Sequence, residues 1–426
     1  MVLSEAVMRV FFSGIGGVGI GPLAMIAQDA GMSVVGTHAE KTDITSMLIE
    51  RGIDVELQVS SEHLEAEHFI EPIDWLVYSS AIPNDHPELN FARAHNIRTS
   101  KRDEFINEVV QVESLKMIAV AGTHGKTTTT AMIVWLFQQL ELPVSYSIGT
   151  TISFGAPGAY QKGSEYFVYE CDEYDRNFLH YHPYISLVTM VDYDHPDTYP
   201  TKDEYVAAFQ QFTQQSEWVY SWQDDEPKLN GADLDNFIIL DERDNEIDTI
   251  KLAGRHNREN AWQAIQVVSE VTEESIAKLI QIMNSFPGTS RRFEKISENT
   301  YSDYAHHPAE IRATLQLANE LNDRVIVLYQ PHQNTRQHAI ADEYKDSFAQ
   351  ANKVYWAPTY LTREDDSLPE LSPEQLITKL DTNNAVACEL SSELADTLKK
   401  QAQDGALVLV MGAGPIDGWA RENLVA

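Results

Sequence analysis

Positive charge is scarce in this chain. Its 426 residues carry 31 lysines and arginines against 65 aspartates and glutamates, a formal net charge of −34 at pH 7. So acidic a surface repels nucleic acid and anionic membrane, which argues against partners of either kind. A small anionic ligand then needs a pocket where the few basic residues gather. Cysteine is nearly absent. Cys171 and Cys388 stand far apart, which supports neither a disulfide framework nor a zinc site and fits a reducing, cytoplasmic compartment. Long hydrophobic runs are missing too. The apolar N-terminal stretch is interrupted from Gly14 to Gly21 and followed by Asp29, so it reads neither as a signal peptide nor as a membrane span. Internal repeats and low-complexity tracts are absent.

What is present is alternation. Short apolar runs at Val10–Phe12, Val34–Val35 and Trp75–Tyr78 are separated by helix-compatible stretches, the pattern of a doubly wound α/β domain. A polar stretch at Gln111–Ser114 reads as a linker. Apolar runs recur at Met117–Ala121, Tyr166–Tyr169 and Ile185–Met190, followed by helices over Asn257–Val268 and Glu273–Met283. Phe286-Pro287-Gly288-Thr289 breaks the pattern. Beyond it, strands are expected at Val325–Tyr329, Val354–Trp356 and Leu407–Met411, with helices over His307–Glu320 and Ser391–Gln401. Length and pattern together predict three α/β domains in series, at 1–112, 113–286 and 287–426. The first and last are Rossmann-like and the central one is P-loop ATPase-like.

The central domain opens on Gly122-Thr123-His124-Gly125-Lys126-Thr127-Thr128-Thr129-Thr130, between a strand and a helix. Such a turn presents backbone N–H groups and a helix N-terminus to polyphosphate. Lys126 would meet the outer phosphates, and the Thr127 hydroxyl would bind Mg²⁺. The common P-loop pattern asks for glycine at 120, where Val120 stands; the loop is shorter, with Gly122 and Gly125 closing it. An ordinary glycine turn is the plainer alternative, but a lysine followed by four β-branched threonines is an odd way to start a helix.

Further constellations follow along the chain, several of them at predicted strand ends. Gly14-Ile15-Gly16-Gly17-Val18-Gly19 fits a diphosphate loop, but the acid that would hold a dinucleotide ribose is missing where Gly36-Thr37-His38 stands. The run Glu170-Cys171-Asp172-Glu173-Tyr174-Asp175 is either a Mg²⁺ site or a solvated acidic loop. Asp192-Tyr193-Asp194-His195 offers a ligand or a base at the same sheet edge. Gly254-Arg255-His256-Asn257 starts a helix, with Asn257 a candidate N-cap and Asn260 one turn on. In the last third, Arg291-Arg292, Tyr301 to Pro308 and Gln330 to Arg336 gather His, Tyr and Arg suited to phosphate and a small amino-acid substrate.

In this order the segments resemble the Mur ligase family, over nearly the whole chain. The specific motifs are Ala-Gly-Thr-His-Gly-Lys-Thr-Thr-Thr, Gly-Arg-His-Asn with Asn260, and Asp303-Tyr304-Ala305-His306-His307-Pro308. Gly14 to Gly19, Ser79-Ser80-Ala81-Ile82-Pro83 with His86-Pro87-Glu88, and Gln330-Pro331-His332 through Arg336 are similar to the branch that attaches L-alanine. Gly412-Ala413-Gly414 fits as well. Cys171 and Tyr174 depart from that branch, and Glu173-Tyr174-Asp175 is more like the branch that recycles an intact tripeptide, the alternative reading. That second branch generally has a different glycine loop and lacks the Gln-Pro-His run.

The resemblance implies ATP-dependent joining of L-alanine to the lactyl carboxylate of UDP-N-acetylmuramate through an acyl phosphate, by a monomer or homodimer. It implies ATP contacts at Gly122, Thr123, His124, Gly125, Lys126, Thr127, Thr128, His256, Asn257, Asn260 and Asp303. Thr127, Glu170 and His195 would hold Mg²⁺, with Lys126, Glu170, His195 and Arg292 serving catalysis. Gly14, Gly16, Gly17, Ser79 and Ala81 would line the UDP-sugar site, and Tyr304, His306 and Arg336 would hold the amino acid. Two other classes compete: an NAD-dependent oxidoreductase, which leaves the Lys126 loop unexplained, and a nucleotide-gated binding protein, against which Glu170 with His195 argues.

Overall fold

The computed structural model describes residues 7–425 except 59, 80–81, 196–197, 232–234, 363 and 366. Three sheets follow one another along the chain, each mostly parallel and alternating with helices, so the α/β expectation of three domains in series holds.

The first sheet contains β1 (Arg9–Ser13), β2 (Ser33–Thr37), β3 (Asp54–Glu56), β4 (Trp75–Tyr78) and β5 (Arg98–Lys101), in the order β3-β2-β1-β4-β5 and all parallel. The chain runs outward from β1 to β3 and then jumps back to β4 beside β1. Strand order reverses there, and the loops after β1 and β4 therefore border a crevice. β1 is buried along its whole length, as expected of a parallel strand covered on both faces.

The second sheet contains β6 (Lys116–Ala121), β7 (Ser145–Ser147), β8 (Gly158–Ala159), β9 (Tyr166–Glu170), β10 (Ile185–Val188), β11 (Trp218–Trp222) and β12 (Phe237–Leu240). Their order is β12-β11-β10-β6-β9-β7-β8, with β8 antiparallel to β7. β6 sits between β9 and β10, so the segments that follow these three strands meet at one sheet edge. The linker expected at 111–114 is displaced to three residues. The helix Arg102–Val112 runs to Val112, and Glu113, Ser114 and Leu115 join it to β6. One apolar cluster serves both sheets, from Phe12, Trp75 and Phe105 to Met117, Phe167 and Tyr181.

The third sheet contains β13 (Glu294–Ser297), β14 (Thr300–Asp303), β15 (Val325–Tyr329), β16 (Lys353–Trp356), β17 (Ala385–Ala387) and β18 (Leu407–Met411), in the order β13-β14-β18-β15-β16-β17. β18 inserts between β14 and β15, which brings the ends of these three strands together.

The chain divides into two compact units, Met1–Glu242 with Gln263–Met283, and Arg243–Trp262 with Asn284–Ala426. His256, Asn257 and Asn260 thus belong to the unit that holds the third sheet. The helix expected from Asn257 starts at Arg255 instead. Asn257 is therefore inside the first turn and does not cap it; its side chain donates to the Ala253 carbonyl at 3.0 Å.

Candidate active site

β6 ends at Ala121, and after four intervening residues the helix Lys126–Gln139 begins at the lysine. Gly122 (φ +132°) and Gly125 (φ +87°) occupy backbone regions that side-chain-bearing residues avoid. A Cβ on Gly122 would lie 2.2 Å from Thr189 Oγ1 and 2.9 Å from the Met190 nitrogen, so the turn is pressed against the exit of β10. Thr123 N donates to the Met190 carbonyl at 2.9 Å, and Thr123 Oγ1 donates to the Asp192 carbonyl at 2.6 Å. Thr189 Oγ1 donates to the His124 carbonyl. Val120 lies inside the buried strand, where a glycine would serve no turn. Thr128 follows as a half-buried residue of the helix.

Lys126 Nζ donates to the carbonyls of Gly122 and Thr123 and to Glu173 Oε2 at 2.7 Å. Glu173 is 0 % exposed. Its Oε1 lies 3.5 Å from His195 Nε2, and Tyr205 OH donates to it at 3.5 Å. Burial disfavours the Lys126 charge, but Glu173 and Asp172 outweigh it and raise the lysine pKa. Burial likewise disfavours the Glu173 carboxylate, and Lys126 with His195 outweighs that and lowers its pKa. The two stay ionised as a buried pair.

Glu170 plays a different part. Its Oε1 accepts from the Thr127 hydroxyl and its Oε2 from Gly149 N, both at 2.7 Å. Of the trio Thr127, Glu170 and His195, the structure joins Thr127 to Glu170 and places His195 against Glu173 and, at 3.8 Å, Asp194. Glu173 is thus a site residue that the sequence reading passed over within the acidic run. It is turned inward ahead of a kink in which Asp175 and Arg176 have φ of +54° and +57°.

At the first sheet, Gly14 N and Ile15 N both donate to the Thr37 carbonyl at 2.9 Å, which folds the glycine loop over the end of β2. Gly14 has φ +80°, and a Cβ on Gly16 would lie 2.5 Å from His38 and Thr45. Gly17 N closes onto the Gly14 carbonyl at 3.0 Å. A Cβ on Gly36 would lie 2.4 Å from the Phe12 carbonyl, so that position admits no side chain, and Thr37 and His38, neither of them an acid, complete the end of β2. Glu88, 1 % exposed, accepts from the hydroxyls of Ser13 and Thr37 beneath the loop. Burial raises its pKa and the two hydroxyls offset part of that. Ser79 faces Gly14, its Cβ 3.5 Å from where a Gly14 Cβ would stand. Ala81 lies outside the described residues.

In the other unit, burial lowers the His256 pKa to about 4, so its imidazole is neutral at pH 7. Asn260 follows one turn on in the same helix. Asp303, at the end of β14, accepts from Phe293 N at 2.7 Å and from Ala305 N at 2.8 Å, so its carboxylate also braces the local backbone. The guanidinium carbons of Arg291 and Arg292 lie 4.7 and 5.2 Å from the Tyr304 ring centroid. The Tyr304 ring meets His306 edge-on at 5.7 Å, and His306 Nδ1 lies 3.3 Å from Glu310. Arg291 donates to the carbonyls of Gly412 and Gly414, tying the β13 approach to the end of β18. Arg336 stands in the first turn of the helix Asn334–Ile340, after β15.

A polyphosphate-type loop at the second sheet, a glycine loop at the first, and a third sheet rich in Arg, His and Tyr at its strand ends define a three-domain, nucleotide-using α/β enzyme. The chain belongs to the Mur ligase family. The family's catalytic-domain profile matches residues 9–113, its middle-domain profile residues 120–230 and its glutamate-ligase-domain profile residues 291–414. The chain is 31% identical to the UDP-N-acetylmuramate–L-alanine ligase of Clostridium tetani, with 96% of each chain covered. The solved UDP-N-acetylmuramate–alanine ligase of Thermotoga maritima superposes with a TM-score of 0.77 at 25% identity, over 98% of each chain. A murein peptide ligase of Psychrobacter arcticus shares the fold, with a TM-score of 0.67 at 21% identity over 98% of each chain.

Proposed function

We propose that the chain is an ATP-dependent ligase that joins L-alanine to the lactyl carboxylate of UDP-N-acetylmuramate. The observation that carries the reading is the Gly122–Thr127 loop with its buried, charged lysine. Full-length relatives of that activity support the choice of substrates. In this reading the lactyl carboxylate oxygen attacks the γ-phosphorus of ATP and ADP leaves. The alanine amine then attacks the acyl-phosphate carbonyl, and phosphate departs with that oxygen. Two anions must meet, so catalysis is mostly charge neutralisation and positioning.

Lys126 is assigned to the β- and γ-phosphates, with the loop N–H groups from Gly122 to Thr128 around them. Its three donors are spent on Glu173 and two carbonyls in the present arrangement, so it exchanges at least one of them for phosphate. The Thr127 hydroxyl and the Glu170 carboxylate, 2.7 Å apart, are oxygen donors of the kind Mg²⁺, a hard cation, takes; Thr127 would hold one ion, and Glu170 with His195, which lies against Glu173, a second. Bound there, the ions would supply Lewis-acid stabilisation of phosphoryl charge. His256, Asn257, Asn260 and Asp303 are assigned to ATP, Arg292 to phosphate, and Tyr304, His306 and Arg336 to the amino acid. Gly14, Gly16, Gly17, Ser79 and Ala81 are assigned to the sugar nucleotide. The labour divides at 112/113 and 286/287. A cytoplasmic location accords with two free thiols and, among the described residues, no helix long and apolar enough to cross a membrane.

The test is phosphate release with ATP and UDP-N-acetylmuramate, comparing L-alanine, glycine, L-serine and the tripeptide as amines. The reading expects release that requires both sugar nucleotide and amine, with L-alanine giving the highest kcat/KM. Preference for the tripeptide would assign the chain to the recycling branch, which Tyr174 resembles.

A further inference from the structure

Arg102 opens the helix Arg102–Val112 just after β5, and its guanidinium reaches the glycine loop of the same unit. A Cβ on Gly19 would lie 2.9 Å from Arg102 Nη1, which places the end of the guanidinium directly against the loop. A guanidinium has five N–H donors. Among the described residues, Arg102 spends one, from Nη2 to Asp172 Oδ2 at a long 3.5 Å, and its side chain remains 20 % exposed. Nε and Nη1 donate to no described protein acceptor.

The loop beside it is also under-used. Gly14 N, Ile15 N and Gly17 N close the turn, but the N–H groups of Gly16, Val18 and Gly19 donate to no acceptor among the described residues. Gly17, Val18 and Gly19 are at least partly exposed. Unpaired N–H groups along a short loop make a concavity for an anion, and a guanidinium at its rim adds the full positive charge and the forked geometry that phosphate matches. In a chain of net charge −34, a cation fixed at that rim and loosely paired marks the place for an anionic ligand.

We propose that Arg102 is a binding residue for the diphosphate of the sugar nucleotide, acting together with the N–H groups of Gly16, Val18 and Gly19. The inference rests on the UDP-sugar reading of the first domain and adds the residue that supplies its charge. Because Asp172 belongs to the acidic run after β9, Arg102 also stands where the first sheet meets the second.

Calorimetric titration of UDP into the full-length protein, without ATP or amino acid, tests it. Arg102→Ala should weaken UDP binding about tenfold to a hundredfold, the range for losing a charge-assisted phosphate contact. Arg102→Lys should lose less, since it keeps the charge without the fork. Asp172→Asn should bind UDP at least as tightly as the unaltered chain, and ATP affinity in Arg102→Ala should be unchanged. If Arg102→Ala fails to fold, the weakening in Arg102→Lys decides. Unaltered UDP affinity in Arg102→Ala and Arg102→Lys would overturn the proposal. So would Asp172→Asn weakening UDP as much as Arg102→Ala does, which would make the pair a structural tie. If the unaltered chain bound no UDP, the UDP-sugar reading itself would fall, and Arg102 with it.

Discussion

Lys126 and Glu173 are charged, buried partners 2.7 Å apart, and removing either strands the other. Truncating one member of a buried pair typically costs about 3–5 kcal/mol. Lys126→Ala should therefore destabilise the protein by that order and lower ligation about a hundredfold to a thousandfold, as expected for loss of a group aimed at developing charge. Adding Glu173→Gln should recover most of the stability and none of the activity. Denaturant unfolding and phosphate release on the two variants separate the effects. Arg336→Ala should raise the KM for L-alanine about tenfold or more while leaving the KM for ATP nearly unchanged, in line with a lost arginine–carboxylate contact; equal changes in both would remove Arg336 from the amino-acid site. At this scale the sequence was informative where the residue type is rare for its place, as with Lys126 ahead of four threonines. It was uninformative where types repeat. Glu170, Asp172, Glu173 and Asp175 look alike in a row, and the backbone kink at Asp175 and Arg176 that accompanies the inward turn of Glu173 leaves no mark in composition. Arg102 was invisible for another reason, since its neighbours Gly19 and Asp172 are brought to it by two different sheets.

Strands with strong apolar runs were legible. β4, β15 and β18 fall where the runs predict them, and β1, β6 and β9 differ by a residue or two at their ends. β3, β7, β8 and β17 are two or three residues long and too short to show a period, while β5 and β13 are polar edge strands. The Asn257 cap failed because Gly254, at φ +85°, already supplies the turn and the helix starts at the next residue. That same junction makes a prediction. Glu320, in the helix Pro308–Leu321, accepts from Gly254 N at 2.9 Å and from both terminal nitrogens of Arg258 at 3.0 and 3.1 Å. The Arg258 hydrogen bonds are the largest cause that holds its pKa down at about 2. A depressed carboxylate pKa contributes stability that is fully present above the ordinary value near 4.5 and lost as pH falls through about 2. Acid unfolding followed over that window should be shallower in Glu320→Gln than in the unaltered chain. Because the group is partly exposed, the difference should be small.

At the scale of the whole molecule, a net charge of −34 sets a self-repulsion that the compact state must bear. Screening weakens it, so the unfolding temperature should rise by a few degrees between low salt and about 0.5 M NaCl, as monitored by calorimetry; a fall would mean that specific ion pairs outweigh the repulsion. The same acidity makes the basic residues assigned to phosphate, Lys126, Arg102 and Arg292, conspicuous. In the proposed reaction Lys126 and Arg292 let a carboxylate and a triphosphate approach each other. That claim is tested most directly by following oxygen. UDP-N-acetylmuramate labelled with ¹⁸O in its lactyl carboxylate is turned over with ATP and L-alanine, and the released phosphate is analysed by mass. Transfer through an acyl phosphate puts one labelled oxygen into each phosphate. Unlabelled phosphate would mean that water, not the carboxylate, attacks ATP, and would contradict the account.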